Sequence, residues 1–154
     1  MPQSLAKNWI HIIFSTKNRF PFLDNHELQQ NMHSYISGIC KHYGCSETVV
    51  GGTMDHVHLL INMPKTGSVT ELVQTVKMSS SKWIKLRDDA DIFLKKLNWQ
   101  KGYGAFSVSH SKVHIVRQYI LNQVIHHKKF SFEYELQKIL DCHQVEYNID
   151  YLWD

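Results

Sequence analysis

The sequence predicts an α+β protein of the ferredoxin-like type, a split β-α-β arrangement with one antiparallel sheet and an extra C-terminal helix. Three observations predict it. Short β-branched and aromatic runs alternate with helical periodicity in the order β-α-β-β-α-β, which is the split βαβ pattern. Two Ser/Asp-x-x-Glu signals mark helix starts where that order needs them. The length of 154 residues, 43% of them apolar, suits a single domain over 1–154 with a sizeable core.

"NWIHIIFSTK" (8–17) reads as the first strand and ends in a basic polar turn. Asp24 with Glu27 opens a helix on which Leu28, Met32, Ile36 and Ile39 recur at helical spacing; Gly44 closes it. "SETVVGG" (46–52) is the second strand, its Gly51–Gly52 pair marking a bulge or tight bend. "HVHLLIN" (56–62) is the third. Pro64 and Gly67 end it, and Ser68 with Glu71 opens a second helix that runs to about Arg87. "DIFLKKLNW" reads as a short helix within a long connection, and "YGAFSVS" (103–109) as the fourth strand. A long helix follows from about Lys112 to Lys128, with Val113, Val116, Ile120 and Val124 as its core stripe. A short helix covers 131–140, and the tail reads as extended. This order puts the first and third strands at the centre of the sheet.

The third strand poses the functional question. Strand faces alternate, so Val57, Leu59 and Ile61 form one apolar face, and His56, His58 and Leu60 form the other. Two helices cover the first face. On the second, the imidazoles of His56 and His58 stand ~6–7 Å apart at their backbones, close enough to converge on one ion. Alone, an H-x-H is also an ordinary polar strand face. In "VRQYILNQVIHH" (116–127), Tyr119 and Gln123 lie four apart on one helix face and His126 continues the row, beside Arg117. That helix follows the fourth strand and is placed to cross the histidine face. Gln123 would then offer a neutral oxygen beside the imidazoles, and Tyr119 would stand one turn away. A tyrosine beside a metal with open positions suits nucleophilic attack on a phosphodiester.

His56-Val57-His58 in "GGTMDHVHLLI", "WQKGYGAFSVS" and the helix carrying Tyr119 and Gln123 together resemble the single-tyrosine transposases of the HUH nuclease superfamily. That group includes insertion-sequence (IS200-like) transposases and REP-associated tyrosine transposases. The resemblance covers nearly the whole chain. It implies that His56, His58 and Gln123 hold Mg²⁺ or Mn²⁺ and that Tyr119 is the nucleophile. The phenol would attack single-stranded DNA, leaving a 5′-phosphotyrosine and a free 3′-hydroxyl that reverses the step to join new ends. It further implies hairpin ends as the DNA partner and a homodimer, with the tyrosine helix serving its own subunit or the partner's. Asp55 is a candidate for orienting a histidine. Lys17, Arg19, Lys77, Lys82, Lys112 and Arg117 are candidate DNA contacts, although a solvated charged face is the ordinary reading of each. Tyr103 and Phe106 are candidates for base stacking or for the core.

Composition bounds the rest. Seventeen Lys and Arg against 14 Asp and Glu give a net charge of +3, which permits a phosphate-bearing partner. Three cysteines without C-x-x-C, and an N-terminus without an apolar h-region, point to a reducing cytoplasm. No apolar run approaches the ~18 residues of a membrane span. Three rivals stand beside the transposase. One is a replication initiator or relaxase of the same superfamily. Another is a non-catalytic RRM-like nucleic-acid-binding module, which shares the topology but stacks bases on sheet aromatics. The third is a zinc protein using His126, His127, Cys142 or His143.

Overall fold

The computed structural model describes residues 2–154. Strands β1 (Trp9–Ser15), β2 (Thr48–Gly52), β3 (His56–Asn62) and β4 (Gly104–Ser107) form one antiparallel sheet. Its order is β2-β3-β1-β4, so the first and third strands are central, as the element order predicts. In the register, Ile13 pairs with His58 and His11 with Leu60.

Helices α1 (His26–Tyr43) and α2 (Val69–Lys85) cover one face. Val57, Leu59 and Ile61 of β3 join Ile12 and Phe14 of β1, Met32 and Ile36 of α1, and Leu72 and Val76 of α2 in the main core. Burial of each such side chain contributes roughly 1.5–3 kcal/mol. The caps follow local chemistry. Asn25, one residue after the expected Asp24, accepts from the Leu28 N–H at the start of α1. Gly44 ends that helix at φ 117°, a left-handed conformation that glycine adopts without a Cβ penalty. Ser68 Oγ accepts from the Glu71 N–H as expected, while the Glu71 carboxylate takes the Tyr43 hydroxyl instead of closing the box.

The opposite face is covered by α3 (Val113–Leu121), α4 (Gln123–His126) and α5 (Phe132–Cys142). Ile120 of α3 packs on Trp9, Val49 and Leu60, while Phe132, Leu136 and Leu140 of α5 pack on Ile13 and Phe106. The single long helix expected over 112–128 is broken at Asn122 (φ −101°, ψ 21°). Hydrogen bonds continue across the break, from the Asn122 N–H to Gln118 O and from the His126 N–H to Asn122 O. Val124, expected in the core stripe, is consequently exposed, and Gln123 is buried instead. The tail, expected to be extended, forms a 3₁₀ turn over Ile149–Tyr151. "DIFLKKLNW" contains only the 3₁₀ turn Leu94–Lys96.

Gly51 does not bend β2; its pairing with His58 is regular. A Cβ there would stand 2.3 Å from the Ile120 carbonyl oxygen, so the missing side chain is what lets α3 approach the sheet. Gly51→Ala is expected to force α3 outward and destabilise the protein by about 1–3 kcal/mol, as overpacking does. A urea midpoint unchanged in that variant would refute the close approach.

Candidate active site

The structure brings His56, His58, Gln123 and Tyr119 together within one chain. His56 and His58 come from the central strand and are almost wholly buried, at 1% and 0% exposure. Gln123 sits just past the break at Asn122, which turns its side chain inward to 1% exposure. Its Nε2 donates to the Tyr119 carbonyl, and its Oε1 is thereby aimed at the imidazoles. That oxygen lies 3.2 Å from His56 Nε2 and 2.8 Å from His127 Nε2. The Tyr119 ring packs edge-on to His58, with centroids 5.7 Å apart.

Three groups join this set that the sequence reading did not assign to it, Glu135, His127 and His11, while His126, which it placed in the row of Tyr119 and Gln123, borders the set. Glu135 of α5 is buried, with Oε1 2.8 Å from His58 Nε2 and Oε2 3.1 Å from His127 Nε2. His126 Nε2 lies 3.0 Å from Glu135 Oε2. His11 of β1 places Nε2 2.9 Å from His58 Nδ1. Glu135 did leave a trace in the sequence, as a carboxylate on the same helical face as Phe132, Leu136 and Ile139. Nothing local said what it faces.

The outer nitrogens of the three imidazoles are all engaged. His56 Nδ1 lies 2.7 Å from Asp55 Oδ1 and 3.0 Å from Thr53 Oγ1. His58 Nδ1 meets His11, and His127 Nδ1 donates to the Phe130 carbonyl at 2.9 Å. Nδ1–H donation outward from His56 and His127 leaves their Nε2 lone pairs pointing inward, and His58 presents its Nε2 to the same space with His11 behind it. Inward, those lone pairs meet oxygens of Gln123 and Glu135. One ligand atom from each of His56, His58, His127 and Glu135 lies within 4.8 Å of the others. The short contacts of Glu135 with His58 and His126 lack hydrogen-bond alignment, and both carboxylate oxygens are buried without an aligned partner. Lone pairs and a carboxylate converging out of water repel unless positive charge sits among them. A proton on an imidazole supplies some; a metal ion supplies more. The donor set therefore fits a divalent cation.

Charge states agree with this geometry. Burial lowers His58 to about 4 against the raising influence of Glu135, and burial followed by His58 lowers His11 to about 3. Both are neutral near pH 7. Burial works against ionisation of Glu135, but contacts with His127 and His58 outweigh it and hold the carboxyl well below its usual range. Burial likewise opposes Asp55 ionisation, and His56 and Arg19 override it. For His127, burial lowers and Glu135 more than restores, so its pKa is raised. The Tyr119 phenol is pushed up by burial and then by the charge of Glu135, so it is protonated at neutral pH.

This gives a pH prediction. His33, lowered by burial to about 4, joins His11 and His58 as a buried neutral imidazole. Unfolded, each titrates near 6.5, so between that value and its folded pKa the unfolded chain binds more protons. Stability is full above about pH 6.5 and is lost as pH falls toward 4, on the order of 3 kcal/mol for His33 and for His58. The depressed carboxyls of Glu135 and Asp55 act in the same direction at lower pH, and the raised His127 opposes them. The urea midpoint is expected to fall steeply below about pH 6. A midpoint flat down to about pH 4.5 would contradict neutral burial.

The candidate DNA contacts scatter. Arg19 lies 3.6 Å from Asp55 Oδ2 and stacks over Phe132 and Trp153, at the edge of the histidine cluster. Lys112 immediately before α3 and Arg117 within it are exposed, as is Lys17. Lys77 and Lys82 belong to α2, on the other side of the sheet. Lys77 Nζ donates to the carbonyls of Gln100 and Gly102 at 2.7 Å each, and so clasps the loop before β4. Tyr103 bonds Thr70, while Phe106 is in the core. Of the zinc alternative, only His127 enters the donor cluster; Cys142 is exposed and His143 packs on Phe106.

The model of the family described as "Transposase IS200 like" matches residues 4–123. Among solved structures, a candidate transposase from Deinococcus radiodurans R1 is 21% identical, with a TM-score of 0.60 over 80% of this chain and 95% of that one. A REP-associated tyrosine transposase bound to a REP hairpin is 14% identical, with a TM-score of 0.59 over 100% of this chain and 91% of that one. No curated protein matches the chain. The two structural likenesses concern the fold.

Proposed function

The chain belongs to the IS200-like transposase family, and on that footing we propose that it cleaves and rejoins single-stranded DNA with Tyr119 as nucleophile and a divalent metal at the imidazole cluster. The observation that carries this reading is the convergence of inward-facing Nε2 atoms of His56, His58 and His127 with Gln123 Oε1 and Glu135, beside the Tyr119 ring. His56, His58, Gln123, His127 and Glu135 would hold the ion. Mg²⁺ and Mn²⁺ are the ions the resemblance implies. Mg²⁺ prefers to keep several waters rather than enter an all-protein cage, so an imidazole-rich set favours Mn²⁺ of the two. When bound, the ion supplies positive charge that polarises a phosphoryl oxygen and offsets the Glu135 charge that keeps the phenol protonated.

The residues divide the remaining work. Asp55 and the Phe130 carbonyl fix the tautomers of His56 and His127, and His11 holds the His58 ring in place. Tyr119 Oη forms the bond to phosphorus as the bond to the 3′ oxygen breaks. Net, the phenolic proton ends on that oxygen, giving a 5′-phosphotyrosine and a 3′-hydroxyl. Attack by a 3′-hydroxyl reverses the step and releases Tyr119. Because Gln123 meets His56 within one chain, the tyrosine helix serves its own protomer in this reading. The homodimer that the resemblance implies is supported by exposed Leu121, Val124 and Ile125 on one stretch of chain. Sedimentation at micromolar protein is expected to give a dimer.

A hairpin-containing single strand is the proposed substrate. The RRM-like alternative needs an open sheet face bearing aromatics, whereas α3 and α5 pack over this one. The test is a 5′- or 3′-labelled oligonucleotide incubated with the protein and Mn²⁺, then run on a denaturing gel. A covalent adduct that EDTA prevents is expected. Absence of any adduct across hairpin-bearing strands overturns the proposal.

A further inference from the structure

A groove of about 630 Å³ opens between α3 and α5 and leads to Tyr119. Its walls differ in origin. Lys112 and Tyr119 belong to the part of the chain matched by the family, but Phe130, Tyr134 and Lys138 follow residue 123, where that match ends. Phe130 and Tyr134 stack with centroids 5.5 Å apart and planes 15° from parallel. Both remain exposed, at 44% and 45%. Lys138 Nζ stands 5.4 Å from the Tyr134 ring centroid. An aromatic pair left half in water beside two ammonium groups is the combination that binds unpaired nucleotides: faces for bases, charge for the backbone.

We propose that this groove is a subsite for the unpaired nucleotide adjoining the phosphate that Tyr119 attacks, its base stacked on Phe130 and Tyr134 and its backbone met by Lys112 and Lys138. The proposal rests on the reading of Tyr119 as nucleophile. The occupant follows from charge and continuity. Lys112 and Lys138, the rings of Phe130 and Tyr134, and Tyr119 all line the one groove, so charge, aromatic faces and the phenol share a single space.

The test uses the full chain carrying Tyr119→Phe, so that binding is read without cleavage. Oligo-dT containing 2-aminopurine serves as the probe. Stacking in the groove is expected to quench its fluorescence on binding. Adding Phe130→Ala and Tyr134→Ala should weaken binding about 10- to 100-fold, since stacking is worth roughly 1–3 kcal/mol per base, and should abolish the quench. Tyr134→Trp should restore both. Lys138→Gln should lower the slope of log K against log salt by about 0.7, one phosphate contact on a single strand. Parent-like affinity and quench in the double variant overturn the subsite, as does absence of quench in the Tyr119→Phe protein itself, which needs no variant of the groove to fold. The two readings fail separately. An adduct with wild-type protein but no effect of Phe130 and Tyr134 leaves the transposase reading standing. A quench without any adduct leaves the groove and removes the chemistry.

Discussion

Tyr119→Phe is expected to abolish the covalent protein–DNA product while the protein folds as before. The ring carries the packing: its edge-on contacts with His58 and His126, at centroid separations of 5.7 and 5.0 Å, need no hydroxyl. Stability should therefore change by no more than about 1 kcal/mol. Activity should fall by more than about 10³-fold, because removing a nucleophile leaves only the contributions of binding and electrostatics. Single-strand binding, read by anisotropy, should persist. The comparison also discriminates among tyrosines. Tyr134 faces the same groove, so an adduct that survives Tyr119→Phe and disappears in Tyr134→Phe would move the nucleophile to α5 and refute the assignment.

The second large effect concerns the cation. Ligand that binds only the folded state stabilises it by about 2.7 kcal/mol at a hundredfold excess over Kd. For a chain of this size that corresponds to roughly 5–10 °C in Tm. Mn²⁺ is expected to raise the melting temperature by that amount at neutral pH, and Mg²⁺ by less. The gain should shrink as pH falls and protons compete for His127, whose pKa is raised, and vanish toward about pH 4, where His58 also takes a proton. His58→Ala should remove the Mn²⁺ response altogether. It should also cost about 2–4 kcal/mol without metal, since it empties a wholly buried site. Glu135→Gln, which keeps shape and removes charge, should retain the fold and show a reduced Mn²⁺ shift. A melting temperature indifferent to both ions at neutral pH would mean that the convergence holds only a proton.

Much of the fold was legible because its signals are local. Alternation of Val57, Leu59 and Ile61 against His56, His58 and Leu60 placed β3 with one face for the core and one for chemistry. Ser68 and Gly44 marked helix ends by side-chain and backbone chemistry that needs no distant partner. The four-residue spacing of Tyr119 and Gln123 placed both on one side of a helix, and it survives although the helix breaks between them at Asn122. What failed was continuity. Periodicity carried one helix from 112 to 128, because Asn122 is a permitted helical residue and the break is stabilised by what Gln123 and His127 reach, not by the residues around it.

The sequence by itself determined which donors exist, which faces they occupy on their own elements, and the order in which those elements pair. Tertiary structure alone decided that Glu135 and His127 stand with His56 and His58, that His11 rather than a carboxylate backs His58, and that Lys77 is spent on a loop. The physical reason is range. Strand and helix patterns depend on neighbours a few residues away, whereas the cluster depends on contacts between segments dozens of residues apart. Those contacts are set by the bare backbone of Gly51 beneath Ile120 and by α5 docking Phe132 and Leu136 against Ile13.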